Sequence, residues 1–302
     1  MRWGDAYATS KIGIYRLAPD ATAWTLVSPL PPEVSTDNHG IQMAERNDTL
    51  YLVFPNGVFA SKDRGETWTK LGERPKGRVI GLVITDDALY LALRDEGIFR
   101  STDAGKQWTS LNNEIIDSEV LSVAAIENTV FVGTNQGLYR LYSGTLEKLS
   151  IDTTKAIHSL AVSENNLYVG TGRDLSQLGN PEGRQAYLEN VMSNINSDVR
   201  TWEVFHSTDL GDSWTDITPT SRSHMMKISL GVKVLAAEKG ILVLGMVSFH
   251  SSDGGKTWTE LGKDSMTILS WIPAVAVNEN TFLKAGVSGL IRSIDGGESW
   301  PI

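Results

Sequence analysis

Short apolar runs separated by tight polar turns recur along the whole chain. Residues 79–111 hold one full cycle. Val79-Ile-Gly-Leu-Val-Ile84 is apolar, Thr85-Asp-Asp87 turns, and Ala88-Leu-Tyr-Leu-Ala-Leu93 is apolar again. Asp95-Glu-Gly97 turns a second time, Ile98-Phe-Arg100 leads into a third turn, and Trp108-Thr-Ser-Leu111 closes the cycle. Runs this short, rich in β-branched and aromatic residues and bounded by Gly and Asp, predict strands rather than helices. The unit is therefore four strands, A to D, joined by three tight turns. The same frame fits 41–71, 120–149 and 157–217, and more loosely 228–261 and 269–302. A partial copy opens the chain, with Asp5-Ala-Tyr-Ala-Thr9 in the B slot, Gly13-Ile-Tyr-Arg16 in C and Ala23-Trp-Thr-Leu-Val27 in D.

One turn carries a fixed signature, Ser-x-Asp-x-Gly-x-x-Trp, between strands C and D. It stands at Ser61/Asp63/Gly65/Trp68, Ser101/Asp103/Gly105/Trp108 and Ser207/Asp209/Gly211/Trp214. It returns at Ser251/Asp253/Gly255/Trp258 and Ser293/Asp295/Gly297/Trp300. Repetition every forty or so residues marks an array of supersecondary units that bury their faces on one another. Four-stranded units with almost no helix predict an all-β chain, a β-propeller of antiparallel blades. Seven blades is the count, with six as the alternative, in a single domain over 1–302. The first unit lacks strand A, and the last has A to C followed only by Ser299-Trp-Pro-Ile302. The copies near 17–24 and 140–149 have lost the box, and Leu146 replaces the tryptophan in the second.

The residue types of the box suit a tight turn. Glycine permits positive φ, the carboxylate accepts backbone N–H groups, and the serine adds a local bond. A calcium loop would need further oxygen ligands at alternate positions, which the box lacks. The five aspartates are thus expected to be structural, with the tryptophans as packing knobs.

Composition narrows the function classes. A net charge of −9 and a pI near 5.1 disfavour nucleic-acid or anionic-membrane binding, which needs a basic footprint. With no cysteine, disulfides and thiolate metal sites are excluded. The five histidines (39, 158, 206, 224, 250) show no metal-ligand spacing, so neither metal nor cofactor is expected. No run approaches the apolar length of a membrane span and no signal peptide is visible. The cytoplasm is the expected compartment unless the chain is cut from a larger protein, and a monomer is the expected state.

At its five boxes and their flanking strands the chain resembles the BNR/Asp-box repeat proteins, which include sialidases and sortilin-type receptors. The resemblance covers nearly the whole chain. It implies a propeller whose boxes lie at the outer edge, away from the ligand face, so that the box aspartates are not catalytic. A sialidase would also carry an Arg-Ile-Pro motif, an arginine triad, a Tyr–Glu nucleophile pair and an acid/base aspartate. No arginine here precedes Ile-Pro, and Arg16, Arg100, Arg140 and Arg292 share one strand-C slot. The chain looks nearer to the non-enzymatic members, such as the photosystem assembly factor type, which are binding scaffolds.

The end of each blade opposite the box carries the D–A and B–C connections, where the copies stop agreeing. Aligning the units on strand B puts His39, Arg78, Glu119 and Ala156 in one slot at the mouth of strand A, with His158 two residues deeper. The D–A loop at 218–226 adds Arg222 and His224. About 28 residues beyond the usual spacing fall after strand B, at 173–201, and bring Arg173 and Asp174. Within this insertion Asn180-Pro-Glu suits a helix start, with Leu188, Val191, Met192 and Ile195 on one face. The expected function is a non-catalytic scaffold that binds a protein or carbohydrate on this loop face. The alternative is a glycoside hydrolase at the same place, which needs two carboxylates about 5–9.5 Å apart. Its candidates are Glu119, Asp37, Glu96 and Asp174.

Overall fold

The computed structural model describes residues 5–9, 12–18, 21, 23–31, 42–112, 115, 118–173, 185, 189, 200–220, 231–238, 240–245, 247–261, 274–276, 280–286 and 289–300. Their strands form seven antiparallel sheets, each a blade in sequence order. The first is three-stranded: β1 (Ala6–Thr9), β2 (Gly13–Leu17) and β3 (Thr25–Pro29). The second holds β4 (Gln42–Arg46), β5 (Thr49–Phe54), β6 (Gly57–Ser61) and β7 (Thr69–Gly72). The third holds β8 (Val79–Ile84), β9 (Leu89–Leu93), β10 (Gly97–Ser101) and β11 (Thr109–Ser110). The fourth holds β12 (Val120–Ile126), β13 (Thr129–Thr134), β14 (Gly137–Tyr142) and β15 (Thr145–Lys148). The fifth holds β16 (Ala156–Ser163), β17 (Asn166–Gly172), β18 (Val204–Ser207) and β19 (Thr215–Asp216). The sixth holds β20 (Lys233–Ala237), β21 (Gly240–Leu244), β22 (Phe249–Ser251) and β23 (Thr259–Glu260). The last holds β24 (Ala274–Ala276), β25 (Phe282–Gly286) and β26 (Gly289–Ser293). The protein is a seven-bladed β-propeller; among the described residues the first unit shows strands B to D and the last shows A to C. In the insertion, Gln185 and Glu189 have helical backbone, with the Gln185 amide donating to Glu189 one turn on at 2.8 Å. The rest of the expected helix lies outside the described residues.

The contacts divide the chain into two compact units, Met1–Val132 with Leu141–Glu147, and Gly133–Arg140 with Lys148–Ile302. In the first, Ile14, Leu52, Phe54 and Phe59 form one core, and Val53, Val58, Val79, Leu82, Leu89, Leu91 and Leu93 another. In the second, Val232, Val234, Val243 and Phe249 pack toward Tyr168, Trp202 and Val204 of the preceding blade. Leu235, Leu242 and Leu244 pack the other way, toward Phe282 of the last blade. Period-two alternation sends successive residues of β20 and β21 to opposite neighbours. Strand B, flanked by A and C and covered on both faces, is buried along its whole length in β9, β13 and β21. Each fully buried leucine there contributes about 1.5–3 kcal/mol.

The inner strands come close where side chains are small. A Cβ on Gly81 would lie 2.4 Å from Val123 of the next blade, and one on Gly170 would lie 2.8 Å from Val234. β-Bulges at Ile80 and His158 re-aim those residues between paired neighbours.

The boxes build identical turns. In each, the serine hydroxyl accepts the glycine N–H at 2.8 Å and donates to the aspartate at 2.7–2.8 Å. The same carboxylate takes the N–H of the seventh residue at 2.9–3.0 Å. Four boxes add a contact that the signature left as "x": the hydroxyls of Thr67, Ser213, Thr257 and Ser299 donate to the second carboxylate oxygen. The glycines then press on the preceding blade: Gly65 near Val27, Gly105 on Val58, Gly211 on Leu149, Gly255 on Ile217 and Gly297 on Leu242.

The box tryptophans, expected as inward knobs, are instead half-buried at Trp68, Trp108, Trp214, Trp258 and Trp300. In three of these positions the ring N–H reaches across the blade seam, from Trp68 to Ser28 Oγ at 3.2 Å, Trp108 to Glu73 O at 3.2 Å and Trp258 to Ile217 O at 2.8 Å. Trp214 faces the blade without a box, and its buried Nε1–H has no partner. Trp300 turns its Nε1–H back to Gly297 O of its own box at 3.0 Å. Its ring lies against the outside of the core formed by Leu235, Leu242, Leu244 and Phe282 rather than within it. The physical reason is the same throughout: the box sits at the blade's rim, so the residue that ends it covers the seam from outside.

Candidate functional site

Within each blade the D–A and B–C connections lie at the end away from the box, and each compact unit presents its own cluster of polar groups there. In the first unit the loop after β7 reads Glu73-Arg-Pro-Lys-Gly-Arg78. Arg74 turns inward and donates to three carbonyls: Phe54 O at 2.7 Å, Pro75 O at 2.6 Å and Gly77 O at 3.1 Å. Burial lowers its pKa, and the carbonyls take the place of a carboxylate. The loop is thereby fixed to the end of β5, with Lys76 and Arg78 exposed at its tip. Neither of the two makes an ion pair with any described residue.

Arg78 and Glu119, expected in equivalent slots, are joined through Arg94 at the end of β9. The Arg94 N–H donates to Arg78 O at 2.9 Å, and Arg94 O accepts from Val120 N at 2.8 Å. Its guanidinium holds Glu119 at 2.7 Å, with the two side chains 26% and 27% exposed. Such half-exposed pairs contribute little to stability, about 0–1 kcal/mol. Their consequence is geometric, because Glu119 is aimed at a cation. Arg94 was missed in the sequence, where it is a lone charge after an apolar run.

In the second unit His158 sits on its bulge with Nε2 2.7 Å from Arg173 O, so that nitrogen carries the proton and donates. Its ring packs over Gly231, which bridges to Gly172. Arg173 is half-buried where the insertion leaves β17. The insertion returns at Glu203, the second residue that sequence reasoning missed. The Glu203 carboxylate accepts Lys155 Nζ at 2.6 Å and Thr153 Oγ1 at 2.7 Å. Its backbone pairs with Thr171, N–H to Glu203 O at 2.9 Å and Glu203 N–H to Thr171 Oγ1 at 2.7 Å. Trp202 beside it is buried against Phe249. Both stems of the insertion are therefore tied to the blade. The signal available was a charge among apolar residues, Thr-Trp-Glu-Val, at the exit of an irregular segment.

His39, Asp174, Arg222 and His224 lie outside the described residues, as does Asp37. His206 and His250 stand apart on strand C: the first is stacked on Tyr168 and bonded to Asn166, the second is buried 3.9 Å from Glu298. Among the described residues no three His, Asp or Glu side chains converge as a metal site. No helix among them is long and apolar enough to cross a membrane.

No family model and no curated protein matches the chain. Solved structures do. A structure titled "YCF48 bound to D1 peptide" is similar at a TM-score of 0.63 and 13% identity, over 96% of this chain and 89% of that one. YCF48 from Cyanidioschyzon merolae gives 0.57 and 15%, over 89% and 86%. AFV00434, an ancestral GH74 enzyme, gives 0.56 and 15%, over 98% of this chain but 52% of the enzyme. At such identities the likeness establishes the fold, which hosts both binding proteins and enzymes.

Proposed function

We propose that the protein is a non-catalytic binding scaffold of the Asp-box repeat kind. Its partner, a protein or peptide, contacts the box-distal loops. The observation that carries this reading is how the polar groups at those loops are used. Arg74 is spent on three carbonyls, Glu119 on Arg94, and Glu203 on Lys155 and Thr153. Groups engaged in this way hold loops in one conformation and lower the ordering cost of binding. What the fixed loop presents is Lys76 and Arg78, two exposed cations on a chain of net charge −9. A similar propeller being solved with a peptide supports a protein partner over a carbohydrate.

The test is affinity capture with the immobilised full chain, wild type beside a variant in which 174–200 is replaced by Asn-Gly. A partner retained by the wild type and lost by the variant supports the reading; identical partners remove the insertion from the interface. A panel of aryl glycosides that includes a sialoside addresses the enzyme alternative. No turnover is expected, and turnover abolished by Glu119→Gln contradicts the scaffold.

A further inference from the structure

The outer strand of the first blade departs from the repeat at its exposed positions. Two residues after the tryptophan slot, blades two to six carry Lys70, Ser110, Lys148, Asp216 and Glu260, but the first carries Leu26. The leucine takes over a packing role that lysine has elsewhere. A Cβ on Gly57 would lie 2.9 Å from Lys70 Cε, and one on Gly137 would lie 2.8 Å from Lys148 Cε. One on the equivalent Gly13 would lie 2.7 Å from Leu26 Cδ1. A lysine stem covers such a glycine and keeps its ammonium in water. Leu26 covers the same spot and stays 48% exposed. The residue before the glycine changes in the same sense. It is Asn56, Glu96 and Gln136 in blades two to four, and Ile12, 70% exposed, in the first. Pro29, also exposed, pairs with Gly13 and completes the patch. No charged residue stands between Asp20 and Glu33. Apolar surface gathered in one place, where the other blades are polar, marks an interaction site.

We infer that this patch of Ile12, Leu26 and Pro29 is a two-fold interface through which the protein binds a second copy of itself. A two-fold contact lays a patch on its own image, so a charge at its centre meets the same charge at a cost. Lys70, Lys148, Asp216 or Glu260 would each do so in its own blade, and Leu26 does not. Two chains of net charge −9 repel one another, and a charge-free surface is where they approach at least cost. The patch lies on the outer strand and the B–C turn of the first blade, whereas Lys76 and Arg78 stand on the connection between the second and third. A dimer formed here takes the place of the monomer expected from the sequence.

Sedimentation velocity of the full chain over a series of concentrations is the test. The wild type should pass reversibly from monomer to dimer below about 1 mM. Leu26→Lys installs the residue that the second and fourth blades carry at this position, so the blade has a way to accommodate it. It should keep the wild-type circular dichroism and dimerise at least tenfold more weakly. Ile12→Asn, again a residue of the repeat, should weaken the dimer several-fold. Lys76→Glu/Arg78→Glu should dimerise as the wild type does. A wild type that stays monomeric up to that concentration overturns the interface, whether its patch is bare or covered by another protein. So does a folded Leu26→Lys protein that dimerises equally well. A dimer lost in the Lys76/Arg78 variant and kept in Leu26→Lys puts the contact on the connection after the second blade and overturns it too.

Discussion

At the scale of single residues, the box aspartates are strongly acidic because the turn is built around them. Asp63, Asp209 and Asp253 are held down to about 2 by the seventh-residue hydroxyl first, then its N–H, then the box serine. Asp295 reaches about 2 although partial burial opposes it. In Asp103 the Gln107 N–H leads instead, since no hydroxyl stands there. A carboxylate whose folded pKa is depressed stabilises the fold above its unfolded pKa and loses that contribution as pH falls through the folded one. The urea midpoint should therefore drop steeply between about pH 4 and pH 2, and Thr257→Val should soften the drop. The glycines separate turn strain from packing. Gly254 and Gly255 both have positive φ, but a Cβ on Gly254 meets nothing while one on Gly255 lies 2.7 Å from Ile217. Gly254→Ala should cost about 1 kcal/mol, and Gly255→Ala clearly more, by chemical denaturation. Serine, aspartate and glycine were legible as turn chemistry. The seventh-residue hydroxyl was in plain sight as Thr or Ser in four boxes, but a search for invariant letters passes over it.

At the scale of elements, strand count and order were legible because period-two runs and turn residues repeat. Tertiary closeness was not. A box tryptophan looks like a core knob in sequence, but it lies half-buried at the rim of the seam. At Trp108 and Trp258 its N–H is bonded to the preceding blade, at Trp68 it is shared between Ser28 of that blade and Gly65 O of its own box, and at Trp300 it bonds within its own box. Trp108→Ala is accordingly expected to cost about 2 kcal/mol, below the range of a fully buried tryptophan. Trp258→Phe should cost about 1 kcal/mol, for the lost bond to Ile217 O. Trp214→Phe should be neutral or slightly stabilising, because it removes a buried donor without a partner. Equal losses in the two phenylalanine variants would contradict the cross-seam role. The decay of the box at 140–149 has the same logic: Ser143 and Gly144, both at positive φ, close a two-residue hairpin in its place.

At the scale of the molecule, the buried histidines add a second pH window. Burial lowers the pKa of His206, and also that of His250 against the opposing pull of Glu298 and Asp295. Both stay neutral in the fold while the unfolded chain takes up protons near pH 6.5. Stability is thus full above about pH 7 and declines as pH falls through 6.5; His206→Gln with His250→Gln should flatten that limb of the urea-midpoint profile. The candidate site was half legible. Strand-B alignment put Arg78 and Glu119 in one slot, but Arg94, which bonds to both, and Glu203, which pins the insertion, depend on contacts across long sequence separations. In the proposed division of labour, boxes hold blades together and loops at the other end bind. Affinity capture of one partner by Asp253→Asn and by Lys76→Glu/Arg78→Glu, each beside its thermal midpoint, tests it most directly. The prediction is a lowered midpoint with binding kept in the first, and an unchanged midpoint with binding lost in the second. Binding lost in Asp253→Asn at temperatures where it remains folded, and kept in the loop variant, would contradict it.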